Sequence, residues 1–304
     1  MPNINQHSPS KHAYLIIAHT NWGQLNKLVR VLDDSRNDIY IHIDLKQLIS
    51  FNNSGGGVKT KYSNVYIVNS IDVRWGHVSQ IKAEIELFEK SSLKQYSYYH
   101  LISGMDLPLH NQNYIHKFFE RNQGYEFIGF GNKNWDVRNR VHCHNFCISF
   151  LRSNNMFIKY MSRFLRKMFN RLQVLFHVYI NNADYIYRYG CNWCSVTHDF
   201  VTDLLKGKKE IFQTYKYSFC PDEIYKQTFA INSKYRNKIF DYNNEFKGCM
   251  REIDWNRGRP YIWRTDDFDT LISSEKLFAR KFDERADSTI IDKIVNRIMF
   301  EQQA

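Results

Sequence analysis

Three kinds of grouping in this 304-residue chain could do chemistry: a carboxylate pair at a proline turn, two cysteine-containing runs, one of them with histidines, and polar residues placed where strands end. In Cys220-Pro221-Asp222-Glu223 the proline holds its predecessor extended and suits a first helical position, so both carboxylates fall in a first helical turn. Attraction to the helix dipole alone would account for them. A single carboxylate fixed there also suffices to take the proton of an attacking hydroxyl, the task of a general base in a group transfer with inversion. Such a transfer from a nucleoside diphosphate needs the leaving charge offset by a metal or by fixed cations. Asp267-Phe268-Asp269 is the only Asp-x-Asp, but it opens a predicted helix and reads as N-terminal capping. Cations remain: Arg257, Arg259 and Arg264 precede that helix, and Arg280-Lys281 follow it.

His142-Cys143-His144 with Cys147, and Cys191-x-x-Cys194, have the spacing of zinc ligands. The second pair sits in an apolar, β-prone run with no Gly or Pro between the cysteines, which favours buried thiols over zinc ligands. Six cysteines so scattered do not make a disulfide scaffold.

The elements that must position these groups alternate between strand and helix. Ala13–Ala18, Ile39–Ile43, Val65–Val68 and Tyr98–Ile102 read as strands, with helical spacing between them at Leu25, Leu28, Val29 and Leu32, and at Val78, Ile81, Ile85 and Phe88. This pattern predicts an α/β fold with an open, mostly parallel twisted sheet flanked by helices, whose ligands bind at the carboxyl ends of the strands. At those ends stand His19, Asp44, Arg74-Trp75 and Ser103–Asp106. Each alone could be a turn former or cap; together they predict a nucleotide-sized crevice. Neither G-x-G-x-x-G after the first strand nor a P-loop occurs. Further on, Asn192–Thr197 reads as a strand, and Asp199–Leu205, Asp267–Phe278 and Ser288–Phe300 as helices. Residues 1–11 form a polar tail, 12–120 a nucleotide-binding βαβ half, and 121–304 the acceptor-binding and catalytic half of the same domain.

Composition adds partners. The formal charge of +11 favours a polyanion: nucleic acid, an anionic membrane or a phosphorylated substrate. Aromatic residues, 16% of the chain, suit sugar stacking, although an A/T-rich genome explains most of them. No run of about 18 apolar residues predicts a membrane span, and the start has no signal-peptide core, so the expected locale is the cytoplasm. Within 157–171, Lys159, Arg163, Arg166, Lys167 and Arg171 interleave with apolar residues at helical spacing. Such a helix either packs on the domain with a solvated basic face or lies on an anionic lipid surface.

Six motifs in order, Ile39–Asp44 (IYIHID), Arg74–Gly76 (RWG), Ser103–Leu109 (SGMDLPL), Cys220–Glu223 (CPDE), Asp254-Trp255 and Leu277–Asp283 (LFARKFD), resemble the core-2/I-branching enzyme family and its peptide xylosyltransferase relatives. The resemblance runs from about His12 to Asp283. It implies a GT-A-type nucleotide-sugar fold that works without a divalent metal or other cofactor. The implied reaction moves GlcNAc from UDP-GlcNAc to a hydroxyl, typically a 6-hydroxyl, with inversion; the relatives use UDP-xylose. By motif, Glu223 matches the base, Lys281 the diphosphate-binding lysine and Asp44 a nucleotide contact; Arg259 is the choice for the partner arginine, and Trp75 and Asp106 line the donor site. Animal members carry a membrane anchor and disulfides that this sequence does not show. That fits a bacterial member acting in the cytoplasm, or at the inner face of the membrane, on a glycan or lipid-linked oligosaccharide. A nucleic-acid binder would explain the charge but not the strand-end cluster or the Pro-Asp-Glu turn. A catalytically inactive sugar binder is the other alternative.

Overall fold

Short runs of β-branched and aromatic residues become strands here because both of their faces find helices to pack against. A computed structural model of the chain describes residues 11–133, 137–180 and 185–303; the polar tail, except Lys11, lies outside the described residues. The first half runs β1 (His12–Ala18), α1 (Trp22–Leu32), β2 (Asn37–Ile43), α2 (Leu48–Asn53), β3 (Asn64–Ile67), α3 (Ser79–Ser92), β4 (Tyr98–Ser103), β5 (Asp106–Pro108) and α4 (Gln112–Arg121). The second half begins with α5 (Arg138–Val141), α6 (Met156–Leu175), β6 (Cys194–Thr197), α7 (His198–Lys206), α8 (Lys208–Tyr215) and α9 (Tyr225–Ile231). It ends with α10 (Glu245–Gly248), β7 (Arg251–Ile253), α11 (Phe268–Ile272), β8 (Phe278–Arg280) and α12 (Ser288–Gln303).

The main sheet has the order β3-β2-β1-β4-β6, parallel except for β6, which pairs antiparallel with β4. Successive side chains of β1 enter different cores. Tyr14, Ile16 and Ala18 meet Leu25, Leu28 and Val29 of α1 and Ile291 and Ile294 of α12; Ala13 and Leu15 meet Ile81, Ile85 and Phe88 of α3 and Phe200 of α7. The expected α/β class is the one found. β5, β8 and β7 form a second, three-stranded sheet at the mouth of the first.

Two expectations are corrected. The helix expected over 267–278 stops at Ile272, because Phe278–Arg280 leaves it to pair with β5. Asn192 and Trp193 precede β6 instead of opening it. The basic helix also departs from ordinary packing. α6 docks through Arg166, Asn170 and Gln173, and none of its side chains belongs to an apolar core. Among the described residues no helix is long and apolar enough to cross a membrane.

Between the sheet and α4 lies a buried histidine stack. His12 Nδ1 is 3.0 Å from His100 Nε2, His100 Nδ1 is 2.8 Å from Ser195 Oγ, and the His12 and His116 rings stack at 3.9 Å. Burial first, and then the neighbouring cationic groups, lower all three below the ordinary histidine value, His116 to about 4. The unfolded chain therefore takes up protons below about pH 6.5 that the folded chain refuses, so stability is full above that pH and lost as pH falls. The expected loss is about 1.4 kcal/mol per histidine for each pH unit below 6.5. Urea midpoints should hold from pH 7.5 to 6.5 and drop steeply by pH 5; a flat profile across that range would contradict the buried neutral stack.

Candidate active site

The parallel register brings the ends of β1, β2 and β4 to one edge: Asp44 N–H donates to the Ala18 carbonyl (3.0 Å) and Gly104 N–H to that of Ile17 (2.9 Å). His19, Asp44 and Ser103–Asp106 thus share a crevice mouth. Asp44 is buried and committed: it caps the following turn through Lys46 N (3.0 Å) and pairs with the Lys46 ammonium (2.9 Å). Lys46 also binds Asp72 (2.8 Å), which binds Arg74 (2.9 Å), so the second and third strand ends are joined by a chain of ion pairs. Asp106 is equally occupied, accepting from Ser103 N (2.8 Å) and from Arg280 Nη1 (2.6 Å). These two aspartates organise the crevice mouth through the bonds they already make.

Lys281 follows β8. Its carbonyl accepts from Trp263 N (3.0 Å), and Phe282 N donates to Met105 (2.9 Å), which pins the lysine against the Ser103–Asp106 loop. Partial burial, then Arg280, Arg285 and Arg152, hold its amine below the ordinary lysine value, with Asp283 opposing. Among the described residues the Lys281 ammonium has no ion pair. His19 adjoins it and is lowered by desolvation first and the Lys281 charge second. This under-compensated positive corner is the electrostatic requirement for binding a diphosphate.

The proline turn joins the loop that follows β3. Cys220 N–H donates to Gly76 O (2.9 Å), stapling the Arg74–Gly76 loop to the turn, and Gln80 Nε2 donates to Asp222 (2.8 Å). Gly76 has φ +74° and its missing Cβ would lie 2.9 Å from the Phe219 ring, so glycine is required. Cys220 is not extended as expected before a proline; it is left-handed, at φ 47°, held there by the bond to Gly76. Pro221–Glu223 forms a single 3₁₀ turn leading into α9, with Asp222 buried and Glu223 reaching solvent. Burial first, then the charges of Glu223 and Glu84, raise the Asp222 carboxyl above its usual range.

Glu223 is aimed by two contacts. Its backbone carbonyl accepts from Gly190 N (2.9 Å), and its carboxylate Oε2 from Arg140 Nη2 (2.7 Å). Arg140 also donates to the carbonyls of Cys220 (2.7 Å) and Phe219 (3.1 Å), so one guanidinium braces the whole turn. Beneath it Lys226 and Glu84, both fully buried, pair at 2.5 Å. The Lys226 ammonium also donates to Asn192 (2.7 Å) and the Asp222 carbonyl (3.1 Å), and Tyr225 donates to Glu84 (2.7 Å). Trp75, at the rim, lies 4.2 Å from the Arg152 guanidinium and edge-on to Phe219. Trp193 stacks on Arg280 at 4.6 Å.

His19, Asp44, Arg74, Trp75, Asp106, Glu223 and Lys281 therefore belong to elements converging on the strand ends. Arg259 does not join them by any hydrogen bond or ion pair; it stands exposed on the turn before Pro260. Its neighbours are committed, Arg257 to Asp254 (2.5 Å) and Asp267 (2.7 Å), and Arg264 to the Ala286 carbonyl. Asp267 is thus structural. Among the described residues no three His, Cys, Asp or Glu side chains converge on a metal-sized site, and Cys191 and Cys194 are buried free thiols. A cavity of about 490 Å³ lined by His77, Lys82, Phe146 and Tyr217 includes none of the crevice residues. Arg140, Arg152 and Trp193 were not expected as site residues; Arg140 and Arg152 stand among many other cations, and only their contacts, Arg140 with Glu223 and Arg152 with Trp75, distinguish them.

Residues 12–277 match the family model described as Core-2/I-Branching enzyme. Over 100 residues, 32% of the chain, it is 26% identical to a Danio rerio protein named Beta-1,3-galactosyl-O-glycosyl-glycoprotein beta-1,6-N-acetylglucosaminyltransferase 4, and the match spans 23% of that protein. Among solved structures, apo mouse xyloside xylosyltransferase 1 is similar over 89% of this chain and 97% of that one, at 7% identity and a TM-score of 0.38.

The buried pair is testable on its own. Lys226→Met should destabilise the fold by about 3–5 kcal/mol in urea unfolding, since it leaves Glu84 charged and buried without its cation. The Glu84→Gln/Lys226→Met double variant should recover much of that loss; a single-variant loss under about 1 kcal/mol would mean that the pair does not hold the turn.

Proposed function

The chain belongs to the Core-2/I-Branching enzyme family and is a glycosyltransferase, and from that premise we propose an inverting, metal-independent transfer of GlcNAc from UDP-GlcNAc to a glycan hydroxyl, with Glu223 as base. The observation that carries this reading is a braced, solvent-reaching carboxylate on the wall that carries Trp75, together with Arg152, which lies against Trp75 and whose charge acts on the half-buried Lys281. GlcNAc follows the activity for which the Danio rerio relative is named.

In the proposed reaction the Glu223 carboxylate takes the proton of the acceptor hydroxyl, a 6-hydroxyl in this reading, as its oxygen attacks the anomeric carbon. The bond to the diphosphate breaks on the opposite face, and UDP leaves with the electron pair. Lys281, aided by Arg280 and Arg152, offsets the charge that develops there, the work a metal would otherwise do. His19, Asp44, Arg74, Trp75 and Asp106 line the donor side, and Arg259, free on its turn, closes over the diphosphate. The acceptor in this reading is a surface-glycan intermediate carried on a lipid, and the locale is the cytoplasm of a bacterial cell, at the inner face of its membrane.

UDP release with a panel of UDP-sugars, including UDP-xylose, followed by linkage determination of the product, tests donor and linkage together. Glu223→Gln should lower transfer by about a hundredfold or more while UDP-sugar binding is retained; survival of transfer would remove Glu223 from the role of base. Lys281→Ala should weaken UDP more than uridine, and EDTA should leave the wild-type rate unchanged. Equal losses for the two ligands, or a strict requirement for manganese, would overturn the cationic account of the leaving group.

A further inference from the structure

Helix α6 is built inside out relative to an ordinary surface helix. Ser162, Arg166, Asn170 and Gln173 recur on its inner side, and the last three make polar contacts with the domain: Asn170 with Asn145 (3.0 Å), Arg166 with Asn145 (3.2 Å) and Gln173 with His144 (3.0 Å). Phe157, Met161, Phe164, Met168, Leu172 and Leu175 recur at spacings of three and four, which places them in one line along the other side. That line faces solvent: Phe157 is 72%, Phe164 62% and Leu175 68% exposed. Arg163, Lys167 and Arg171, each four residues apart, run beside it, and residues 156–175 contain no Asp or Glu.

Charge selects what covers this face. A second copy packed stripe to stripe would bring two rows of cations into one seam with no carboxylate in either helix to neutralise them. An anionic bilayer offers hydrocarbon to the rings and phosphates to the cations. We propose that α6 docks the protein on an anionic membrane, lying in the headgroup region with the Phe157–Leu175 stripe inserted and Arg163, Lys167 and Arg171 on lipid phosphates. The inner side of the same helix reaches the crevice, where Arg166 lies 4.2 Å from the Phe219 ring, next to Trp75 and the proline turn. A membrane on the outer side is therefore one helix thickness from the transfer site. Docking itself does not depend on the proposed donor or base.

The test is flotation of the full chain with vesicles of pure phosphatidylcholine and of phosphatidylcholine mixed with phosphatidylglycerol. Binding is expected to the mixed vesicles, weakening as salt is raised. Phe157→Ser/Phe164→Ser/Leu175→Ser should reduce it about tenfold or more with an unchanged thermal midpoint, and Arg163→Gln/Lys167→Gln/Arg171→Gln should abolish the preference for phosphatidylglycerol. The proposal is overturned if wild type ignores the mixed vesicles or if the apolar variant binds them equally well. It is also overturned if sedimentation shows a wild-type dimer that the apolar variant dissolves, which would put a second copy on the stripe. UDP-sugar binding, measured on the same preparations, reads the catalytic proposal separately.

Discussion

The arrangement of the crevice depends on one buried ion pair. Glu84 lies on α3 and Lys226 on α9, and neither touches water. Two charges removed from solvent are tolerable only where further hydrogen bonds support them; Tyr225, Asn192 and the Asp222 carbonyl supply these to Glu84 Oε2 and the Lys226 ammonium, while Glu84 Oε1 has no partner among the described residues. Each of those partners belongs to a segment that the site needs: the residue before Trp193, the carboxylate turn, and the helix the turn leads into. The pair thereby converts a solvation requirement into a positional one. With α9 fixed against α3, Gln80 meets Asp222 and Gly76 meets Cys220, and the loop and the turn form one wall.

A second constraint acts across the crevice. Asp106 and Arg280 face each other in the β5–β8 register, and their ion pair joins the end of β4 to the segment that carries Lys281. Because Asp106 occupies Arg280, and Asp283 is bonded to Arg285 and Asn21, Lys281 has no carboxylate paired with it among the described residues. The positive corner results from how the neighbouring charges are already spent, more than from the number of cations in the chain.

How far the sequence could be read follows from the range of the forces involved. Strands β1, β2 and β4 were legible because uninterrupted apolar and aromatic runs have few other solutions, and the residues just after them were legible as neighbours at one sheet edge for the same reason. Asp267 was correctly seen as a cap, but the helix beyond it ends early because the partner that claims Phe278–Arg280 lies some 170 residues upstream in β5. Arg140 could not be told from Arg163 by type or neighbourhood, yet one holds Glu223 and the other faces solvent. In α6 the periodicity was plain, but period alone does not say which face the protein keeps; here the domain offers amides and a ring, and it keeps the polar side. The left-handed backbone at Cys220 was likewise hidden, since it answers to a hydrogen bond that Cys220 N–H donates to the Gly76 carbonyl.

The brace on Glu223 has a stereochemical consequence. Arg140 takes one acceptor position of Oε2, which leaves Oε1 the less encumbered oxygen for receiving a proton in the proposed reaction. A base held in this way would be selective by angle as well as by distance. A hydroxyl on an exocyclic arm can satisfy that angle by turning a single torsion, whereas a hydroxyl fixed to a sugar ring must carry the entire ring with it.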